Sequence, residues 1–172
     1  MTRLHFVKKS RKAYKASGIN KGESYYWWKF NFSSVRRSKS KPRRSQLTRS
    51  EYYAKVYSAE ESLQDAVAQA ENEMHDDDGD NESFFDEGPK QTVMDAIEEI
   101  ISSLEELKSD MEEKESNLES NFPSSNALVT IQERLPELDD LLENLGNVKD
   151  EIDGATSMDD IASAIGSLPW PS

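Results

Sequence analysis

The sequence predicts a mainly α protein in which an N-terminal β-hairpin plus a long helix is followed by an acidic antiparallel helical hairpin of coiled-coil type. Three observations carry this. An aromatic run, Tyr25–Phe32, alternates with period two. Apolar stripes at steps of three and four recur from Tyr52 onward. The net charge of −13 over 172 residues resolves into two opposite halves. Residues 1–57 hold 16 Lys/Arg against 2 Asp/Glu, a net of +14, whereas residues 58–172 hold 5 against 32, a net of −27. With 35% hydrophobic and 32% charged residues, apolar side chains must lie on narrow stripes, and a broad globular core is not expected.

Residues 1–24 read as a basic flexible arm: polar and cationic, with Gly18 and Gly22 and no sustained period. Residues 25–74 read as an aromatic, basic hairpin plus helix. Alternation sets Tyr26, Trp28, Phe30 and Phe32 on one face and Tyr25, Trp27, Lys29 and Asn31 on the other. Ser33-Ser34 is the expected turn, and Val35–Lys39 the basic return strand. A two-stranded hairpin is marginal in water, so one aromatic face must pack on the following helix. The open face combines rings that can stack on bases with cations that neutralise phosphate, and the dense run Arg36-Arg37-Ser38-Lys39-Ser40-Lys41-Pro42-Arg43-Arg44 adds to it. The candidate nucleic-acid-binding residues are Tyr25 and Trp27 for stacking, and Lys29, Arg36, Arg37, Lys39, Arg43 and Arg44 for phosphate. Two alternatives stand beside this. The rings can form a small core with cations kept for solubility, or the basic end can fold back onto its own acidic helices.

The helix is expected to start at a capping box, Thr48-Arg49-Ser50-Glu51, with Leu47 and Tyr52 at the staple positions. Its stripe runs Tyr52, Val56, Ala59, Leu63, Ala66/Val67, Ala70 and Met74, about seven turns. Hairpin followed by helix resembles the arm-type DNA-binding module of phage integrases over residues 24–74. The segment Lys21-Gly22-Glu23-Ser24-Tyr25-Tyr26-Trp27-Trp28-Lys29-Phe30, continued through Pro42–Thr48, resembles the start of small uncharacterised phage and prophage proteins. The second resemblance implies a viral origin and carries no activity.

Residues 75–90 read as an acidic linker. Counted from Asp76, an EF-hand-like loop would use Asp76, Asp78, Asp80 and Glu87, but Asn81 replaces the turn glycine and Gly88-Pro89 breaks the exiting helix. An acidic hinge with no metal is the expectation. Residues 91–153 read as a helical hairpin. Its first stripe is Val93, Ile97, Ile100, Leu104, Leu107, Met111 and Leu118, and its turn lies at Asn121–Asn126. The second stripe is Leu128, Ile131, Leu135, Leu138, Leu142, Leu145, Val148 and Ile152, and Pro136 is expected to kink or restart that helix. Residues 154–172 carry a short helix from about Met158 to Ile165, capped near Thr156-Ser157, and a Pro/Trp tail. Dimerisation, or docking of the 48–74 helix to make a three-helix bundle, is expected to cover the remaining apolar surface.

The absence of cysteine excludes disulfide frameworks, thiolate zinc sites, iron–sulfur ligation and cysteine nucleophiles. The two histidines, His5 and His75, make no metal-spaced cluster, and no glycine loop cradles phosphate. No catalytic residue and no cofactor is assigned. Met1–Lys9 has no hydrophobic stretch of signal-peptide length, so a soluble protein in the cytoplasm of a bacterial host cell is expected, without membrane contact. The sequence thus points to a non-enzymatic, phage-type accessory protein. Its partner is nucleic acid, DNA or RNA, with the acidic helices serving self-association or docking. The alternatives are a protein-binding inhibitor or adaptor of a host protein, whose acidic rod imitates nucleic acid, or a virion structural or scaffold component.

Overall fold

The computed structural model describes residues 2–76 and 88–171, and it divides the chain into two compact units, Met1–Ser58 and Ala59–Ser172. The charge reversal read from the sequence falls one residue from this division: the first unit carries all of the +14 and the second all of the −27. Most of the acidic linker read as a hinge, residues 77–87, including all but Asp76 of the EF-hand-like spacing, lies outside the described residues. Among the described residues the architecture is mainly α, with four α-helices and one three-stranded antiparallel sheet, and no helix is long and apolar enough to cross a membrane.

The sheet has the order β1 (His5–Val7), β2 (Tyr25–Trp28), β3 (Arg36–Ser38). The expected hairpin is its β2–β3 half. The third strand was not expected: His5, Phe6 and Val7 pair with Trp27, Tyr26 and Tyr25. The stretch between β1 and β2, read as a flexible arm, is a stapled excursion. Ser10 is buried, its N–H donating to the Glu23 carbonyl (2.8 Å) and its carbonyl accepting from Gly22 N–H (2.9 Å). Further out Tyr14 bridges Ile19 around a single 3-10 turn, Lys15–Ser17, closed by Gly18 in the left-handed conformation (φ 63°). Ile19, 1% exposed, is the apolar anchor that a polar, aperiodic stretch hides from a periodicity reading.

The aromatic alternation also ends earlier than expected. β2 stops at Trp28, and Phe30 to Ser33 form a turn in which Ser33 N–H donates to the Phe30 carbonyl (3.2 Å). Trp28 and Phe30 are buried, but Phe32 leaves the face assigned to it: it has φ 59° and is fully exposed. Tyr25, placed on the open face, is buried at 7% exposure because Tyr14 of the excursion lies against it, ring centroids 5.4 Å apart.

α1 (Glu51–Asp76) begins three residues after Thr48. Ser50 is the cap in its place: its hydroxyl accepts from Tyr53 N–H (3.4 Å) and its carbonyl from Ala54 N–H (2.9 Å), while Thr48 Oγ1 accepts from Ser50 N–H (3.2 Å). The expected stripe is buried from Tyr52 to Ala70, with Met74 exposed. Tyr52 and Val56 belong to the basic unit; Ala59, Leu63, Ala66 and Ala70 belong to the acidic one.

In the acidic unit α2 (Pro89–Asn121) and α3 (Asn126–Asp153) form the antiparallel hairpin, joined at Phe122–Ser125, where Ser125 Oγ caps α3 by accepting from Leu128 N–H (3.2 Å). Cross-helix contacts step in opposite directions along the two chains, as antiparallel helices require. Gln132 donates to Glu119 (3.3 Å), Lys108 to Asp139 (2.6 Å), Lys149 to Glu98 (2.6 Å) and Lys90 to the Ala155 carbonyl (3.3 Å). Bonding to Asp139 and Glu98 holds the Lys108 and Lys149 ammonium groups above their ordinary range. The two ion pairs join half-buried lysines to exposed carboxylates and contribute little to stability; the buried seam of Val93, Ile97, Ile100, Leu104, Leu107 and Met111 against Leu138, Leu145, Val148 and Ile152 carries it. Thr92 Oγ1 donates to Glu73 (3.3 Å), which ties the end of α1 to the start of α2. α4 (Met158–Gly166) has Ser157 as its cap, with Asp160 accepting from Thr156 N–H (3.1 Å) and Ser157 Oγ (2.9 Å).

Of the two outcomes expected at Pro136, the restart does not occur: α3 runs through it, with the proline on an exposed position. One further expectation for α3 is corrected. The seam uses Leu141, 1% exposed, and leaves Leu142 half-buried, because steps of three then four from Leu138 reach Leu141 and Leu145. Leu141→Ala is therefore expected to cost about 2–5 kcal/mol in urea unfolding, and Leu142→Ala clearly less; equal losses would contradict this register.

Candidate nucleic-acid interface

Sixteen cations within 58 residues repel one another, and the basic unit accommodates them by placing rings beneath the guanidinium groups. Arg36 lies over Phe30 (5.2 Å to the ring centroid), Arg37 over Tyr14 (4.2 Å) and Arg44 over Tyr57 (3.8 Å). Arg44 Nη2 also donates to Tyr57 Oη (3.1 Å), and Tyr57 stacks on Tyr53 (5.5 Å). These contacts restrict rotamers of long side chains while leaving Arg36 and Arg44 exposed. The Tyr25 hydroxyl donates to Tyr14 (3.4 Å). That bond, together with the charge of Arg37, holds the Tyr14 phenol below its ordinary range, and it raises that of Tyr25.

One cross-strand row aligns His5, Trp27 and Arg37. The His5 ring stacks on Trp27, centroids 4.1 Å apart and 7° from parallel. The next row, Phe6, Tyr26 and Ser38, points to the opposite face, where Phe6 is 56% exposed and contacts Tyr26 (4.9 Å).

The sequence-predicted residues are distributed unevenly. Lys29, Arg36, Lys39, Arg43 and Arg44 are exposed, and Arg37 is half-buried between the sheet and Tyr14. Trp27 is half-buried, with one ring face taken by His5. Tyr25 is sealed beneath the excursion, so the stacking role assigned to it is corrected. Lys39 is paired with Glu23 (3.1 Å).

The excursion adds exposed cations that the sequence reading left in the arm: Lys8, Lys9, Arg11, Lys12, Lys15 and Lys21. Gly18 and Gly22, both at positive φ, were the signal that this stretch turns. In all, fifteen of the sixteen cations of the unit are exposed. This surface can neutralise a phosphate backbone, and its rings offer partial stacking area. Comparison with protein-family models, curated proteins and solved structures finds no match to this chain.

Glu23 is the electrostatic anchor of the excursion. Asn20 N–H donates to its carboxylate (2.7 Å), and Lys39 joins from β3's end; these bonds, the Asn20 one foremost, hold its acid below the ordinary carboxylate range. A carboxyl lowered on folding stabilises fully above its unfolded pKa, ~4.3, and loses that contribution as pH falls through the lower folded value. Thermal unfolding followed with pH should therefore show an acid-side loss that Glu23→Gln reduces; an unchanged acid limb in this variant would contradict the anchor.

Proposed function

We propose that this is a non-enzymatic nucleic-acid-binding protein whose basic N-terminal unit grips a phosphate backbone, and whose acidic helical unit serves self-association or docking. One observation carries the reading: the +14 of charge is confined to a compact unit of 58 residues and is displayed on its exterior. A charge of this density attracts polyanions at long range and binds them by counterion release. The ring-backed Arg36 and Arg44, with Lys8, Lys9, Lys12 and Lys29, are the phosphate contacts. The resemblance to small uncharacterised phage and prophage proteins, which carries no activity, and the topological resemblance to integrase arm-type modules suggest a viral setting for this reading.

The second half of the reading rests on the acidic unit. Lys108 and Lys149 are each held by carboxylates across the helical hairpin, while Glu99, Glu105, Glu106, Glu113 and Asp140 occupy exposed positions. Such a surface repels nucleic acid and suits a basic protein partner. Confinement of nucleic-acid contact to one end of the chain follows.

Fluorescence anisotropy with a labelled oligonucleotide, repeated across a salt series, tests the proposal. Affinity should fall linearly in log–log form, by roughly 10³-fold or more between 50 and 200 mM salt if six or more phosphates are contacted. Replacing Lys8, Lys9 and Lys29 by alanine should flatten the slope by about 0.9 per lost duplex phosphate contact. Absence of binding at low salt would contradict the reading.

A further inference from the structure

The turn between β2 and β3 contains a residue that the fold does not explain. Phe30 to Ser33 close an i to i+3 hydrogen bond (3.2 Å), and Phe32, the third residue, has φ 59°. Asn31 before it has no positive φ, so the turn is of type II character, in which the third position favours glycine or asparagine. Phe32 is the one non-glycine residue at positive φ among the described residues. A bulky side chain there costs on the order of 1 kcal/mol in backbone strain. Burial gives nothing back, since Phe32 is fully exposed at 104%. A large ring is therefore held outward in a conformation that both sterics and the hydrophobic effect oppose.

The surroundings identify what would cover it. Lys29 and Arg36 flank the turn and are exposed, and Arg36 is fixed over Phe30 (5.2 Å). Arg49 donates to the Asn31 carbonyl (2.9 Å), which braces the turn from behind. An apolar ring projecting from a cationic rim suits a ligand with flat apolar faces on a polyanionic backbone, which is the chemistry of a nucleic acid. A protein partner with a hydrophobic pocket would gain nothing from that rim unless it too were anionic.

We propose that Phe32 is the stacking residue of the interface, taking an unpaired nucleobase of a single-stranded segment against its ring, with Lys29 and Arg36 on the adjacent phosphates. This rests on the nucleic-acid reading above and deepens it, transferring to Phe32 the role first assigned to Tyr25. Magnitude favours a single strand over a duplex. Parting a base step costs a few kcal/mol, whereas one aromatic–base stack contributes ~1–3 kcal/mol, so a lone ring finds an already unstacked base more readily than it opens a helix.

The test compares wild type, Phe32→Gly and Phe32→Trp in the full chain. The probes are a single-stranded deoxythymidine oligonucleotide and a blunt duplex, titrated by anisotropy at several salt concentrations. Glycine suits the turn, so Phe32→Gly should leave the unfolding midpoint unchanged or raise it. It should weaken single-strand binding about tenfold with an unaltered salt slope, because no phosphate contact is lost, and it should affect duplex binding far less. Phe32→Trp should restore the single-strand affinity. Single-strand affinity equal to wild type in Phe32→Gly, or an equal loss on both probes, would overturn the proposal. Failure of wild type to bind either probe would instead overturn the nucleic-acid reading on which it rests.

Discussion

Like-charge repulsion within the first 58 residues is the constraint around which the basic unit is organised. Three short strands and one helical end bury little apolar area, and several aromatic side chains serve more than packing. Phe30, Tyr14 and Tyr57 do so by lying under Arg36, Arg37 and Arg44, where the ring quadrupole offsets part of the repulsion. Glu23 does so electrostatically, tying Asn20 and Lys39 at the base of the excursion. The remaining cations are turned toward solvent, which is the lowest-energy place for them and also the place where a phosphate backbone can reach them.

The acidic unit solves the opposite problem with a long seam. α2 and α3 bury leucines and isoleucines on one stripe and expose carboxylates elsewhere, so repulsion between the acids is spread along two helices of 33 and 28 residues. The Lys108–Asp139 and Lys149–Glu98 pairs, whose carboxylates face solvent, match the antiparallel register but contribute little to stability. The division of the chain between Ser58 and Ala59 runs through α1, whose single stripe contributes Tyr52 and Val56 to one unit and Leu63, Ala66 and Ala70 to the other. A continuous helix thus carries the sequence from one electrostatic regime into the other.

Much of this was legible in the residues. Heptad-like spacing located the α2 and α3 seams, Asn121–Asn126 marked the turn between them, Thr156-Ser157 marked the start of α4, and the aromatic run marked β2. The failures have physical causes. His5-Phe6-Val7 is too short to show alternation, and its strand exists only through pairing with a segment about twenty residues away. The Leu141-Leu142 pair offers two equivalent continuations of one stripe, which packing alone decides. Thr48 and Ser50 both satisfy the local chemistry of a cap. At the site, the cations were visible from composition, but their exposure was not. Extrapolating period two past Trp28 hid the turn that places Phe32 outward, and reading residues 1–24 as an arm hid the excursion whose Tyr14 covers Tyr25.

In the proposed function the cationic unit alone meets nucleic acid. Amide chemical-shift mapping of the full chain during titration with an unlabelled oligonucleotide addresses it residue by residue. Perturbations are expected to be confined to residues 2–58, strongest around the 8–15 excursion and the 29–36 turn. Perturbations centred on α2 and α3, or none at saturating oligonucleotide, would contradict it.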